Sequence, residues 1–192
     1  MTRNLAVAVA AVARVEVEGV FERHVSEKVR DLTGSNSGGR WGAPATYSVL
    51  YLGRPRASVT VEAYRHLVDP YAADGMTGDL VAPRKVLRCD VSVSEILDLR
   101  SEMAQRQVGL SYEALSSLGE YSACRAVGRV AHQLGLHGVI APAATGLGET
   151  LALFEQHLPA SELPRLVSEE RWDVLPADPR RLRVMRDSEG SA

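Results

Sequence analysis

The chain is organised around the stretch Gly38-Gly-Arg-Trp-Gly-Ala-Pro-Ala-Thr-Tyr-Ser-Val-Leu-Tyr-Leu-Gly53 and the run behind it, Ser58-Val-Thr-Val-Glu-Ala-Tyr-Arg-His-Leu-Val68. The glycines predict a loop, the Val-Leu-Tyr-Leu run predicts a buried strand, and the second run predicts a helix that begins near a proline. Arg40, Tyr51 and Glu62 then lie at intervals of eleven residues on a loop, a strand and a helix. A cation, an aromatic ring and a carboxylate in one cleft suit a ligand that carries phosphate, a planar base and a ribose.

The segments before this stretch give one clear element and one ambiguous element. Residues 14–25 alternate apolar and polar side chains, which predicts a strand, and 26–32 are predicted to form a short helix. Residues 5–14 could form a helix or a strand, because alanine and valine have opposite preferences. They resemble a short signal core but are too short to span a bilayer, so a buried first element is favoured.

The segments after the helix predict further strands and helices. Glycine, proline and aspartate are frequent in 69–83, which predicts a loop that could act as a flap. Ser94 is predicted to cap a short helix after a strand over 85–93. Residues 100–119 are predicted as a loop with one helical turn after Ser111. The remaining predictions are an amphipathic helix over 120–134 and strands over 138–141, 150–154 and 171–175.

The order of these elements predicts the fold class. Strands and helices interleave without a strict βαβ rhythm, which favours an α+β fold with a mixed central β-sheet flanked by helices. A chain of 192 residues is long enough for one buried core and short for two domains. We therefore predict one domain over 1–186, with its core motifs in 21–154, and a flexible tail over 187–192.

Composition narrows the function classes. Hydrophobic residues make up 45% and charged residues 24% of the chain, as in ordinary globular proteins. The formal charge of −2 argues against a surface devoted to nucleic acid or to an acidic membrane. Two cysteines give no disulfide framework, which favours a reducing, cytoplasmic location.

Each member of the Arg40, Tyr51 and Glu62 set also has an ordinary structural explanation. Arg40 could be a solvated arginine in a turn or could hold a phosphate, since Gly-Gly-Arg is a weak pattern. Tyr51 could stack on a base, although strand tyrosines more often belong to a core. Glu62 lies with Arg65 and His66 outside the apolar arc of its helix, where an ion pair with Arg65 is favoured over a role in a cleft.

The other polar residues give no indication of a functional site. His132 and His137 are the one close pair of histidines, and no carboxylate or cysteine lies at metal-binding spacing near them, so no metal site is predicted. Arg125, Arg129 and His132 share the outer face of the helix over 120–134. They are predicted to form a solvated stripe.

The order of Gly-Gly-Arg-Trp, a Leu-Tyr-Leu strand end and a helix with one glutamate resembles the RES-domain family, which is named for an arginine, a glutamate and a serine. The run Gly138-Val-Ile-Ala-Pro-Ala-Ala-Thr-Gly-Leu-Gly-Glu-Thr-Leu-Ala-Leu-Phe154 is similar to the third motif of that family, a Pro-Ser turn before a strand. The resemblance extends over 21–154, most of the chain. It implies a fold similar to that of the ADP-ribosyltransferases.

The resemblance also implies roles for single residues. Family members characterised as toxins of toxin–antitoxin pairs consume NAD by phosphorolysis or hydrolysis of the nicotinamide–ribose bond, and some transfer ADP-ribose to proteins. By resemblance, Arg40 would bind the NAD phosphates and Tyr51 would line the nicotinamide end. Glu62 would stabilise the oxocarbenium-like transition state. Arg23 is the implied counterpart of the family's upstream arginine and is expected to contact NAD.

The chain departs from the family pattern at two positions. Ala143 stands where the family has serine, so a hydroxyl ligand to the dinucleotide is expected to be missing. Thr145 lies two residues later and could substitute for it, and Gly42 stands where many members have asparagine. Losing one hydrogen bond to a charged group costs about 1.5–3 kcal/mol, which would slow catalysis without abolishing it. The chain would then either catalyse an altered reaction or bind the dinucleotide without cleaving it.

The resemblance implies an NAD phosphorylase or NAD glycohydrolase that acts as a toxin. Its cognate antitoxin, expected to be a small DNA-binding protein, would cover the active-site cleft and could contact the flap at 69–83. The acceptor is left open between phosphate, water and protein, and so is a homo-oligomeric state. The alternatives are a protein ADP-ribosyltransferase and a catalytically weakened interaction module with the same fold.

Overall fold

The structure, a computed structural model, describes residues 2–180 of the chain. Its strands are β1 (Arg14–Ser26), β2 (Val49–Arg54), β3 (Arg84–Asp98), β4 (Gly138–Pro142), β5 (Glu149–Phe154) and β6 (Arg165–Trp172). Its helices are α1 (Thr2–Ala10), α2 (Arg56–Leu67), α3 (Glu102–Gln107), α4 (Tyr112–Ser116) and α5 (Ser122–Gln133). Within 2–180, no helix has the length and apolar character needed to cross a membrane.

The six strands form one mixed sheet. Their order is β1-β2-β5-β4-β3-β6, and β1 also pairs with β3, so that five strands close into a ring and β6 extends it. The β3–β4 pairing is parallel, whereas the other pairings described are antiparallel. The predicted α+β domain with a mixed sheet and flanking helices is confirmed. The tail predicted over 187–192 lies outside the described residues.

Strand β2 separates two parts of the core. Leu50 and Leu52 pack with Phe21 in one apolar cluster. Val49 and Tyr51 point to the other face, where they meet the cluster built on α1 and α5. This alternation is what the pleat of a strand requires, and it turns the Tyr51 ring away from the first cluster. The strand therefore delivers Tyr51 beside the loop that precedes it.

Two local predictions of helix are wrong. In the segment 26–32, Ser26 ends β1 and 27–32 form a turn and irregular backbone, in which the Asp31 carboxylate accepts the Thr33 N–H and competes with helical hydrogen bonding. Ser94 caps no helix, because β3 continues to Asp98 and pairs Ile96 with β4. A positive φ of 52° at Glu95 lets the strand bend there without ending.

Other segments differ from the prediction in extent. Residues 100–119 hold two helices, α3 and α4, each capped by a serine hydroxyl, from Ser101 and Ser111. The last strand occupies Arg165–Trp172 rather than 171–175. Seven of its eight residues are exposed. The strand therefore lacks the alternation of apolar and polar residues from which a strand can be predicted. The first segment is helical, and the strands over 14–25, 138–141 and 150–154 are confirmed.

Candidate functional site

A cavity of about 270 Å³ opens where the loop over 38–41 meets α2 and the ends of β2, β4 and β5. Arg40, Tyr51 and Glu62 all lie in its wall, so the structure brings together the three residues that the sequence spaced eleven apart. The complete lining is Gly38, Gly39, Arg40, Trp41, Tyr51, Glu62, His66, Tyr121, Pro142, Ala144 and Thr150.

Helix α2 presents Glu62 to this cavity. Its neighbours Val61 and Ala63 are buried against the sheet, which turns the Glu62 carboxylate outward. The carboxylate lies 3.6 Å from the Nε2 atom of His66, and the two side chains are 38% and 47% exposed. The predicted pairing with Arg65 is wrong, because Arg65 donates instead to the Ser116 carbonyl at 2.7 Å. Glu62 thus remains an accessible carboxylate beside a histidine.

The Arg40 side chain is held rather than solvated. Its Nη1 donates to the Ala114 carbonyl at 3.0 Å and its Nη2 to the Ser117 carbonyl at 2.8 Å, at the end of α4. The guanidinium carbon also lies 4.7 Å from the centre of the Tyr121 ring. A guanidinium has five N–H donors, so these two bonds leave donors for a ligand in the cavity. The cation is therefore fixed in place and still able to bind an anion.

Tyr51 fixes the loop that carries Arg40. Its hydroxyl oxygen accepts the Trp41 backbone N–H at 2.9 Å. A Cβ atom on Gly39 would lie 2.5 Å from the same hydroxyl oxygen, so only glycine permits this approach. Burial raises the pKa of Tyr51 to about 12, which keeps the hydroxyl neutral at physiological pH. The ring serves both as cavity wall and as an anchor.

Helix α5 supports the same loop from behind. Arg125 Nε donates to the Gly39 carbonyl at 2.9 Å. A Cβ atom on Gly128 would lie 2.1 Å from the Trp41 carbonyl oxygen, which shows how closely the loop packs on the helix. The predicted solvated stripe is thus wrong for Arg125 and for His132, whose ring stacks on Tyr47 at 4.0 Å.

A second, smaller cavity of about 120 Å³ adjoins the first. Tyr51, Glu62 and Thr150 belong to the walls of both. Arg23 lies in the smaller cavity, so the two arginines predicted to contact NAD lie in different cavities. The complete lining is Arg23, His24, Tyr51, Leu52, Gly53, Ser58, Val59, Glu62 and Thr150.

The loop over 142–149 contributes apolar surface to the first cavity. Pro142 and Ala144 line it, whereas Ala143 is buried and belongs to neither lining. Thr145 is also absent from both linings, because its hydroxyl lies 2.9 Å from the Ser58 hydroxyl and pairs with it. The expected contact of Ala143 and Thr145 with NAD gains no geometric support and stays a prediction.

Sequence reasoning assigned no site role to three polar residues of the wall, His66, Tyr121 and Thr150. His66 follows Glu62 by four residues, one helical turn, and that spacing could have identified it. Thr150 begins the apolar run of β5, where nothing in the pattern distinguishes it from an ordinary strand threonine. Over residues 2–180, no group of three or more His, Cys, Asp or Glu side chains is placed to hold a metal ion.

Comparisons with known proteins point to one family. A family model described as the RES domain matches residues 12–175. The NAD(+) phosphorylase MbcT of Mycobacterium bovis is 29% identical over 161 residues, which cover 79% of this chain and 85% of that protein. The NAD(+) phosphorylase MbcT of Mycobacterium tuberculosis gives the same values. The crystal structure of the M. tuberculosis MbcT–MbcA toxin–antitoxin complex matches with a TM-score of 0.78 and 26% identity, covering 94% of this chain and 97% of that chain.

Proposed function

The chain belongs to the RES-domain family, and on that premise we propose that it is a toxin that cleaves the nicotinamide–ribose bond of NAD. One observation carries the proposal, namely that Arg40, Tyr51 and Glu62 line a single cavity. Each of them comes from a different element, so their meeting is a property of the fold. Because the similar MbcT proteins are named NAD(+) phosphorylases, inorganic phosphate is the acceptor that we propose.

The roles follow from the charges that change during the reaction. Arg40 binds the diphosphate with the N–H groups that α4 does not use. Positive charge develops on the ribose as the bond to nicotinamide breaks, and the Glu62 carboxylate stabilises it. The leaving ring takes the electron pair and loses its own positive charge, so departure needs no proton donor. Tyr51 holds the loop that carries Arg40 and forms the cavity wall beside the nicotinamide end of NAD.

We propose that Thr150 supplies the hydroxyl that Ala143 lacks. Thr150 lies in the wall of both cavities, as Tyr51 and Glu62 do. Its hydroxyl has no hydrogen-bond partner among the described residues, in contrast to that of Thr145. The Thr150 oxygen can therefore accept one hydrogen bond from a dinucleotide hydroxyl, so that this contact comes from β5 instead of from the third motif.

A protein antitoxin is the proposed partner, since the similar M. tuberculosis toxin forms a complex with MbcA. The cavity must admit NAD in the free enzyme, so an inhibitor that fills its mouth would stop the reaction. The flap at 69–83 borders α2 and contains a short 3-10 helix over Asp69–Asp74. It is the segment that we propose for contact. The DNA-binding character of the antitoxin remains part of the proposal.

The deciding experiment is the cellular NAD level after induced expression of the native chain and of Glu62→Gln. We expect NAD to fall with the native chain and to stay unchanged with the variant, because the amide cannot offset the ribosyl charge. Glu102→Gln is the matched control, since that glutamate is exposed on α3 and lies in neither cavity lining. It should lower NAD as the native chain does. Unchanged NAD with soluble, folded native chain would overturn the proposal.

The main rival is a weakened interaction module, and the loss of the motif serine at Ala143 is the feature that favours it. That rival predicts a stable complex with a partner protein and no loss of NAD. A protein ADP-ribosyltransferase would consume NAD as well, but radiolabel from the adenylate group would appear on an acceptor protein. Product analysis by chromatography separates it from free cleavage, which gives ADP-ribose or its 1-phosphate.

A further inference from the structure

The smaller cavity contains a half-buried cation that the proposed roles do not use. Arg23 projects from β1, and its Nη1 donates to the Thr33 carbonyl at 2.9 Å. That is its one hydrogen bond within residues 2–180. Burial lowers the pKa of Arg23, while the charges of Glu155 and Asp31 oppose the shift. A guanidinium nevertheless stays charged in proteins, so the cation lies partly desolvated with most of its donors unused.

The nearby carboxylates do not hydrogen-bond to this cation. Both oxygens of Glu155 accept hydrogen bonds from other groups, the Gly34 N–H at 2.8 Å and the Ser48 hydroxyl at 2.6 Å. Asp31 accepts the Thr33 N–H at 3.0 Å. An oxyanion inside the cavity would give Arg23 the charge-assisted hydrogen bonds that its surroundings withhold.

Two neutral donors line the same cavity. Arg84 Nη2 lies 3.3 Å from His24 Nδ1 and can only donate, which leaves the ring proton of a neutral His24 on Nε2. Burial, followed by the charge of Arg84, lowers the pKa of His24 to about 3, so the ring is neutral at pH 7. Thr150 adds a hydroxyl. One cation and two neutral donors suit a small, tetrahedral oxyanion, and the Glu62 carboxylate of this lining belongs to the wall shared with the larger cavity.

The position of the cavity indicates what that anion does. Arg40 and Arg23 lie in different cavities, and Tyr51, Glu62 and Thr150 form the shared wall. If Arg40 holds the diphosphate of NAD, the ribose carbon that reacts lies near Glu62, at the junction of the two cavities. A nucleophile in the smaller cavity would reach that carbon from a separate side.

We propose that the smaller cavity binds the acceptor inorganic phosphate, with Arg23 as its principal ligand, and this rests on the proposed function. An oxygen of hydrogenphosphate forms the new bond to the anomeric ribose carbon. The carbon–nitrogen bond breaks, and its electron pair neutralises the nicotinamide ring. The proton of hydrogenphosphate stays on the transferred group and is later released to solvent. Arg23 is thereby assigned to phosphate, in place of its expected contact with NAD.

The test uses the purified full chain with Arg23→Gln and Arg23→Lys. We expect Arg23→Gln to raise the KM for phosphate about tenfold or more and to change the KM for NAD less than about twofold. Arg23→Lys keeps the charge and should recover part of the phosphate affinity. Arg30→Gln is the control, since Arg30 is exposed nearby on the chain and lies in neither lining. Equal rises in both KM values would overturn the proposal.

A binding measurement without NAD separates this proposal from the proposed function. Titration of inorganic phosphate by calorimetry should show saturable binding to the native chain that Arg23→Gln weakens to the same degree as the KM. NAD cleavage without any phosphate dependence or phosphate binding would overturn the phosphate site alone. Loss of nicotinamide binding in Arg23→Gln, with phosphate binding intact, would assign the cavity to the leaving group and would also overturn it. Absence of NAD cleavage with Arg23-dependent phosphate binding would sink the proposed function and support the site.

Discussion

The two loops that border the larger cavity, 38–42 and 142–149, are held in opposite ways. The first is fixed by side chains from elsewhere, since Tyr51 and Arg125 bind its backbone, and it presents the cation of Arg40. The second is held mainly by its own hydrogen bonds, from the Ala143 N–H to the Gly148 carbonyl and from the Leu147 N–H to the Thr145 hydroxyl, with one contact from Thr145 to Ser58 on α2, and it presents apolar surface. The first loop therefore supplies the charged group for ligand binding, while the second contributes only apolar wall to the cavity.

The largest effect is expected from a methyl group placed under the first loop. Gly128→Ala brings a Cβ atom to within 2.1 Å of the Trp41 carbonyl, so the loop must move and carry Arg40 with it. Overpacking costs about 1–3 kcal/mol of unfolding free energy, and a shift of this kind can reduce activity about a hundredfold. Denaturant unfolding and NAD turnover measure the two effects.

The control for this substitution is Ala123→Gln, which changes an exposed position on the same helix. It should leave activity unchanged and stability within about 0.5 kcal/mol. Full activity in Gly128→Ala would show that activity does not depend on the close packing of the loop on α5. The proposed difference between the two loops would then be unsupported.

A smaller loss is expected when the link between α5 and the first loop is cut. Arg125→Gln removes the donor to the Gly39 carbonyl, whereas Arg129→Gln alters an exposed residue one helical turn later. A hydrogen bond from a charged donor is worth about 1.5–3 kcal/mol, and partial exposure of Arg125 reduces this, so we expect about a tenfold fall in kcat/KM for NAD. Equal activities of the two variants would argue against the link.

Thr150→Val tests whether the missing hydroxyl comes from β5. The substitution keeps the branched shape and removes one hydrogen bond, so the KM for NAD should rise about threefold to tenfold. Thr145→Val is the matched control, because it should lower the melting temperature by stranding the buried Ser58 hydroxyl while leaving the KM for NAD unchanged. The reverse pattern would return the ligand role to the second loop.

The Tyr51 anchor predicts a pH dependence that leaves activity near neutrality untouched. Burial raises the pKa of Tyr51 to about 12, above its unfolded value, so its contribution to stability is complete below about pH 10 and is lost as pH rises through about 12. The difference in phenolate absorbance between the native chain and Tyr51→Phe should have its midpoint near pH 12. A midpoint near pH 10 would mean that the ring is solvated and cannot anchor the loop.

The sequence predicted the first loop better than the second for a physical reason. Arg40, Tyr51 and Glu62 could be placed because each lies in a segment with a distinct local pattern, and the fold brings those segments together. A helical wheel predicts Arg125 and His132 as solvated, since it shows which face they occupy but not that Gly39 and Tyr47 pack there. Thr150 gave no signal, because whether a strand threonine faces a cavity depends on pairings that are distant in the chain. Local periodicity thus identified the elements, and tertiary contacts decided which of their polar side chains line the site.

The smallest effect is expected from Ala143→Ser, which restores the motif residue of the family. Ala143 is 5% exposed and lies outside both cavity linings, although Pro142 and Ala144 on either side line the larger one. A serine hydroxyl there can bond locally to the backbone without reaching the dinucleotide, so we expect less than about a twofold change in kcat/KM for NAD. A large gain in activity would mean that the second loop turns its backbone toward NAD on binding. Both loops could then supply polar groups to NAD. The proposed difference between them, and with it the role given to Thr150, would be wrong.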